Sequence, residues 1–104
     1  MSKNERICID TSIFSEVDLN LMVTFVVIYE ESSISRAAEK LGVTQPAISN
    51  ALVRLRAHFD DLLFERIRYG MKPTAHAECI FQAIRPALTS IQAVLKNERF
   101  IAEG

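Results

Sequence analysis

The chain has 104 residues, of which 49 % are hydrophobic and 24 % are charged, and its formal net charge is −1 at pH 7. This length predicts one small domain, or one domain plus an extension, and the hydrophobic content suffices for a compact core. No apolar run is long enough to cross a bilayer or to form a signal peptide, which favours a cytoplasmic protein.

Two cysteines and two histidines are the side chains from which a metal site would most readily be built. Cys8, Cys79, His58 and His76 are too widely separated in the sequence for any metal-ligand spacing. We therefore expect no metal and no other cofactor, and we expect both thiols to be reduced.

The N-terminal third divides into an irregular segment and a helix. Residues 1–17 mix charges with isolated apolar residues and follow neither the helical nor the strand period, which predicts a mostly disordered leader. Asp18 suits the N-cap of a helix of about residues 19–31, whose apolar residues recur at helical spacings. We expect this helix to brace the rest of the domain.

Two short helices joined by a tight turn, a helix-turn-helix, are predicted for about residues 35–54. Ser33 suits the N-cap of the first helix, Ile34 to Leu41. Gly42 suits its end, because glycine enters the left-handed region without steric cost. Thr44 suits the N-cap of the second helix.

The second helix has an apolar and a polar side. Ile48, Leu52, Leu55 and Phe59 recur at offsets of four, seven and eleven, which predicts one inward stripe. The other side begins with amide and hydroxyl groups and ends in arginines. Such a face suits a major groove of DNA, where amides and hydroxyls can read base edges and guanidinium groups can hold phosphates. The alternative is an ordinary pair of packed helices with a polar exterior.

Charge is distributed unevenly along the chain. Residues 33–74 hold seven basic and four acidic side chains, a net charge of +3, whereas residues 1–32 have a net charge of −4. The positive charge therefore lies on the segment that includes the predicted helix-turn-helix, which favours nucleic acid as its partner.

A β-hairpin is predicted after the second helix, over about residues 62–73. An apolar run begins it, and Gly70 suits its turn. Arg66 and Arg68 are then natural contacts for phosphates or a minor groove, as in the wing of a winged helix. The alternative is a solvated basic hairpin.

A long helix completes the prediction, with Thr74 as its N-cap and an end near Asn97. Its apolar residues recur at spacings of three and four. Because three other helices already close the small core, we expect a second copy of the chain to cover this stripe. The alternative is a helix folded back on its own core. The stripe residues expected to contribute to dimerisation are Ile80, Phe81, Ile84, Leu88, Ile91 and Leu95.

The chain resembles the N-terminal DNA-binding region of LysR-type transcriptional regulators over about residues 18–95. The family's characteristic residues occur in order: Ala37, Ala38, Leu41, Gln45, Pro46, Ala47, Ser49, Leu55, Leu63, Phe64, Arg66, Pro73 and Thr74. The segments SNALVRL and FDDLLFER look similar to the LeuO and NodD branch in particular. The resemblance implies a homodimer that pairs through the linker helix. It also implies a C-terminal effector-binding domain in the full-length protein.

The expected fold class is mainly α: a winged helix-turn-helix of three helices and a short β-hairpin at residues 18–75, a linker and dimerisation helix at 76–97, and a tail at 98–104. The expected function is sequence-specific binding of double-stranded DNA by a dimer at an interrupted palindrome. The residues expected to face bases are Gln45, Pro46, Ser49 and Asn50. Those expected to contact the DNA backbone or to belong to the wing are Ser35, Arg36, Thr44, Arg54, Arg66, Arg68 and Thr74.

Three positions depart from the commonest family pattern. Asn50 stands where arginine is frequent, Arg56 where glutamate is frequent, and Asp61 where a glycine usually ends the recognition helix. The first departure bears on base preference, because an amide pairs best with adenine. The other two bear on how the helix ends.

The sequence bears on two other functions. Catalysis is not expected, because the sequence contains no nucleophile and base pair, no paired carboxylates and no phosphate-binding glycine loop. The other candidate is a winged-helix module that binds proteins and not DNA.

Overall fold

A computed structural model describes residues 8–97. Within this range the chain forms five helices and one antiparallel β-hairpin, which confirms the predicted mainly helical class. The elements are α1 (Thr11–Glu16), α2 (Leu19–Glu31), α3 (Ile34–Leu41), α4 (Gln45–Phe59), β1 (Phe64–Ile67), β2 (Gly70–Pro73) and α5 (Ala75–Leu95). None of these helices is long and apolar enough to cross a membrane.

The helix ends follow the predicted capping residues. The Oγ1 of Thr44 accepts a hydrogen bond of 3.2 Å from the amide of Ala47, and Gly42 ends α3 with a left-handed φ of 69°. Each polar cap of this kind contributes about 1 kcal/mol. The other predicted N-caps are likewise in place: Asp18, Ser33 and Thr74.

The core lies between α2, α4 and the hairpin. Its largest fully buried side chains come from these three elements and from the loop before β1: Phe25, Ile28, Ile48, Leu55, Leu63 and Phe64. The inward stripe predicted for α4 is therefore confirmed for its first three members. Phe59, the fourth, is partly buried.

The first half of α5 packs on this same core. The ring of Phe81 stacks on that of Tyr29 at 3.8 Å, and Ile80 and Ile84 are also partly buried, as is Leu88 just beyond the midpoint. The prediction that α5 has little of its own domain left to cover is therefore wrong for this half, because the aromatic residues of α2 leave a surface for it. Only toward its C-terminus does the stripe open to solvent, with Leu95 76 % exposed.

Part of the predicted leader is ordered, contrary to the prediction. Asp10 caps α1 by accepting hydrogen bonds from the amide and the hydroxyl of Ser12, and Val17 is buried in the core. A six-residue helix is too short to show a clear apolar period, which is why the pattern missed it. The rest of the leader, residues 1–7, and the predicted tail, 98–104, lie outside the described residues.

The hairpin turn lies earlier than predicted. Phe64 pairs with Pro73 and Ile67 with Gly70, so the turn falls at residues 68–69 and Gly70 is the first residue of β2. Gly70 has a φ of 133° and lies against α2, where a Cβ atom would be 2.3 Å from the carbonyl oxygen of Ser32. Glycine is therefore required here by close packing as well as by its backbone angle.

Candidate nucleic-acid interface

The outer face of α4 is the centre of the candidate site. Its buried residues Ile48, Leu52 and Leu55 hold it on the core, so the opposite side faces solvent over four turns. All four residues predicted to face bases are exposed on this helix: Gln45, Pro46, Ser49 and Asn50. The face thus presents amide and hydroxyl groups without close intramolecular packing.

Val53 belongs to the same face, although it was not among the predicted contacts. It follows Ser49 by four residues and Asn50 by three, and it is 61 % exposed. An exposed valine in a polar stripe presents methyl groups, and apolar side chains distinguish thymine by its methyl group. Its position beside the two polar residues was the available sequence signal.

The two arginines of α4 lie in different environments. Arg54 is exposed, and its Nη2 is 3.4 Å from the carbonyl oxygen of Glu16, the last residue of α1. Arg56 is half-buried and turns toward the hairpin, where Nε donates to the carbonyl of Leu62 at 2.7 Å and Nη2 donates to that of Phe64 at 2.8 Å. Arg54 therefore remains near the surface, whereas the guanidinium of Arg56 is occupied inside the protein.

The N-terminal end of α3 provides two further predicted contacts. Ser35 and Arg36 are exposed, and the Nε of Arg36 is 3.6 Å from Oε1 of Glu31. The Nζ of Lys40 is 3.3 Å from the other oxygen of the same carboxylate. Such surface ion pairs are weak, so an anionic ligand can compete for either cation.

The hairpin presents its basic side chains at the surface, as the prediction of a wing requires. Arg66 and Arg68 are exposed, and the guanidinium of Arg68 is 5.7 Å from the centre of the Tyr69 ring. Tyr69 lies in the turn and is 87 % exposed. Its exposure beside Arg68 makes it a further candidate contact, which the sequence prediction did not include.

Thr74 is half-buried, and its hydroxyl has two partners within the protein. Its Oγ1 accepts from the amide of Ala77 at 3.1 Å and donates to Oδ2 of Asp61 at 2.7 Å. The hydroxyl hydrogen is thereby used within the protein. Thr44 differs, because its hydroxyl accepts only the capping amide and its residue is exposed.

Asp61 connects the loop before β1 to the start of α5. Donation from the Thr74 hydroxyl lowers the pKa of its carboxyl below the ordinary value of 3.8, with a smaller lowering from the amide of Leu63, which donates to the same oxygen at 2.9 Å. His76, with Nδ1 3.8 Å from Oδ1, lowers the pKa a little further. The carboxylate is therefore stabilised in its charged form.

Other chemistry has little support among residues 8–97. No group of three or more His, Cys, Asp and Glu side chains is arranged there to hold a metal ion. The two cysteines are exposed and unbonded to each other.

Comparison with known proteins identifies the family. The profile for the bacterial regulatory helix-turn-helix protein, lysR family, matches residues 19–78, which is more than half of the chain. The chain belongs to the LysR family. The matched segment includes α2, α3, α4 and the hairpin, whereas α1 lies before it.

Individual LysR-family relatives support this assignment. The transcriptional regulator LeuO of Escherichia coli (strain K12) is 45 % identical over 84 residues, which are 81 % of this chain and 27 % of LeuO. Nodulation protein D of Rhizobium leguminosarum bv. trifolii is 40 % identical over 79 residues, 76 % of this chain and 25 % of that protein. The predicted similarity to LeuO and NodD is thus confirmed. The chain spans only about a quarter of the length of these relatives.

Solved structures of LysR-family proteins share the fold. The probable transcriptional regulator PA0477 from Pseudomonas aeruginosa has a TM-score of 0.76 and 35 % identity, covering 83 % of this chain and 29 % of its own. The DNA-binding domain of BenM in complex with its catB site 1 DNA has a TM-score of 0.69 and 27 % identity, covering 75 % of this chain and 88 % of its own. The winged helix-turn-helix class is therefore confirmed.

Proposed function

We propose that this chain is the sequence-specific DNA-binding domain of a LysR-type transcriptional regulator and that it binds an interrupted palindrome as a dimer. The observation that carries the proposal is the outer face of α4, where Gln45, Ser49 and Asn50 are exposed while the opposite side is buried. A helix held in this way can enter a major groove with its side chains free to reach base edges.

The assignment of roles follows from the functional groups. Gln45 and Asn50 carry amides, which pair best with adenine, and Ser49 carries a hydroxyl that can donate or accept. Pro46 lies in the first turn of α4 and brings an apolar ring to the same face. Val53 extends this face toward its C-terminal half, where it is suited to a thymine methyl group.

Contacts to the DNA backbone are proposed on both sides of α4. Ser35 and Arg36 at the start of α3, Thr44 before α4, and Arg54 near the end of α4 have exposed side chains with donor groups. Arg66 and Arg68 extend the positive surface onto the wing. These contacts fix the position of the domain on the duplex but carry little sequence information.

The proposed dimer uses the exposed end of the α5 stripe. Ile91 and Leu95 continue the partly buried residues of the first half, and Val94 beside them is also exposed. An apolar groove of about 380 Å³ adjoins Ile91 and is lined on its other side by Phe14 of α1 and Phe59 of α4. A second α5 covering this surface would remove apolar area from water, which stabilises the dimer.

The LysR family membership and the DNA complex of BenM support the same proposal. A symmetric dimer would place its two recognition helices in major grooves about 34 Å apart, or a multiple of that distance. The proposed role is binding and not catalysis, and it implies a cytoplasmic location.

The test is selection from a random duplex library at two salt concentrations, with sedimentation of the free protein. We expect a dimer to enrich an interrupted palindrome, and we expect the affinity to fall with salt as phosphate contacts release counterions. Replacing Gln45 and Ser49 by alanine should abolish the selection while leaving the dimer intact. The matched control replaces Gln82 and Ser90, an exposed glutamine and serine of α5, by alanine and should leave the selection unchanged.

The outcome that would contradict the proposal is equally specific. A folded dimer that enriches no sequence at either salt concentration would favour the protein-binding module, for which the overall charge of −1 is the supporting observation. An unchanged selected sequence after the double replacement would reject α4 as the reading element.

A further inference from the structure

We infer that Arg56 is a positioning residue that fixes the wing relative to the recognition helix α4, so that it determines how the wing contributes to DNA recognition. This inference rests on the proposed function. The observation behind it is that the guanidinium of Arg56 holds two carbonyl groups of the segment that leads into β1, those of Leu62 and Phe64.

That segment contains a tight and strained turn. The amide of Phe64 donates to the carbonyl of Leu62 at 2.7 Å, and Leu63 between them has a φ of 66°. A hydrogen bond between residues two apart, with a positive φ at the middle residue, is a rare γ-turn. A non-glycine residue in this conformation persists only where surrounding contacts hold it.

Arg56 and Asp61 hold this turn from two sides. Arg56 binds the carbonyl groups before and after Leu63, and the Asp61 carboxylate binds the amide of Leu63 itself. The Leu63 side chain is fully buried, which anchors the middle of the turn in the core. Three successive residues therefore have backbone groups bound by side chains from the end of α4 and the residue just beyond its cap.

The position of Arg56 explains why this turn matters for the interface. Arg56 follows Ser49 by seven residues, or two helical turns, and so lies on the edge of α4 that carries Ser49. β1 begins directly after the turn, at Phe64, and Arg66 is its third residue. The direction in which the chain leaves the turn thus sets where Arg66 and Arg68 stand relative to the base-facing residues.

The chemistry of this contact suits arginine. A planar guanidinium offers several N–H donors in a fixed arrangement and can bind two carbonyl oxygens at once. Lysine keeps the charge but offers a point donor, and a glutamate at this position would bring a negative group to two carbonyl oxygens. Two N–H donors of Arg56 are used in this way, which gives it a role within the protein that a phosphate contact would not require.

The first experiment measures the turn in the free protein. We expect Arg56→Lys to accelerate hydrogen exchange at the amides of Leu63 and Phe64 about tenfold while α2 and α3 exchange as before. The matched control is Arg85→Lys, which changes an exposed arginine of α5 whose Nε is 2.6 Å from the Glu30 carboxylate of α2. Unchanged exchange at Leu63 and Phe64 in Arg56→Lys would overturn the inference.

The second experiment measures the consequence on DNA. The site selected by the wild type is compared with duplexes in which the flanking base pairs outside the α4 contacts are replaced. We expect the wild type to bind the duplexes with altered flanks about tenfold more weakly. Arg56→Lys should show little of this dependence on the flanks while it still discriminates the bases read by α4. Equal dependence on the flanks in both proteins would also overturn the inference.

A second variant tests whether the effects of Arg56→Lys come from the turn and not from a loss of folding. Asp61→Ala loosens the same turn without changing α4, and we expect the same faster exchange at Phe64 and the same loss of flank dependence. If the wild type selects no DNA sequence at all, the proposed function fails, whereas the exchange measurements still decide whether Arg56 holds the turn.

Discussion

The amide of Met71 donates a hydrogen bond of 2.9 Å to the carbonyl oxygen of Ser32, which joins the wing to the C-terminal end of α2. Ser32 is the C-cap of α2 and is itself left-handed, with a φ of 55°. The strand β2 can approach this closely because Gly70, the residue before Met71, has no side chain. The wing is therefore attached to the domain by backbone contact as well as by the burial of Phe64 and Met71.

Replacing Gly70 by alanine should destabilise the protein by roughly 3 kcal/mol, because its φ of 133° is unfavourable for a side chain and the new Cβ would lie 2.3 Å from a backbone oxygen. Urea denaturation measures this change. The matched control is Gly42→Ala, where the φ is also positive but nothing lies within 4 Å of the added atom. We expect the control to lose about 1 kcal/mol, from the backbone strain alone. Equal losses in the two variants would show that the contact with Ser32 is unimportant.

Replacing Asp60 by glycine should instead stabilise the protein. Asp60 is the C-cap of α4 with a left-handed φ of 51°, and its charge stands at the negative end of the helix dipole. Removal of both penalties should raise the free energy of unfolding by about 0.5–1 kcal/mol after the entropy cost of glycine in the unfolded chain. Thermal unfolding measures the gain. Asp60→Asn is the control that removes the charge alone, and a glycine variant no more stable than it would reject the backbone argument.

The same residue shows where sequence reasoning succeeded and where it failed. The bounds of α2 and α3 were predicted correctly because caps and apolar spacing agree, and the exposed face of α4 followed from the same spacing. Asp61 was predicted to stand where a glycine usually ends α4. The left-handed residue at that helix end is Asp60, because the sequence does not show which of two adjacent residues is left-handed. Arg56 is one of the arginines that end the polar face of α4, where guanidinium groups were predicted to suit phosphates. Its partners are instead backbone carbonyls, which no side-chain pattern reveals.

Stability at low pH should depend on Asp61. Because the pKa of its carboxyl is lowered in the folded state, it contributes stability that is fully present above the ordinary value of 3.8 and is lost as the pH falls through the lower folded value. We expect Asp61→Asn to be less stable than the wild type at pH 6 and the difference to shrink below about pH 3.8. Urea denaturation at several pH values measures this. Asp60→Asn, at an exposed neighbour, is the control, and a difference independent of pH would contradict the role of the carboxylate.

The dimer should depend on the exposed end of α5. Placing a charge at Leu95 would leave it unpaired in an apolar interface, so Leu95→Asp should raise the dissociation constant of the dimer at least tenfold. Sedimentation equilibrium measures the constant. Ser90→Asp adds the same charge elsewhere on α5, at another exposed position, and should have little effect. Identical dissociation constants for the two variants would place the dimer interface on another surface.

Val53 should contribute to the choice of base through its methyl groups. It is exposed on α4 between the inward residues Leu52 and Leu55, so it gains little from the core and is free to contact a thymine methyl group. Replacing that thymine by uracil removes only the methyl group, and the wild type should then lose affinity by about threefold to tenfold, as expected for one buried methyl group. Val53→Ala should bind both duplexes nearly equally, because its shorter side chain no longer reaches the methyl group.

Competition titration measures the effect, with each thymine of the selected site replaced in turn. The control is Ala57→Ser, at an exposed position one turn further along α4. If no thymine in the site is sensitive in the wild type, or if the sensitivity survives in Val53→Ala, Val53 takes no part in base recognition.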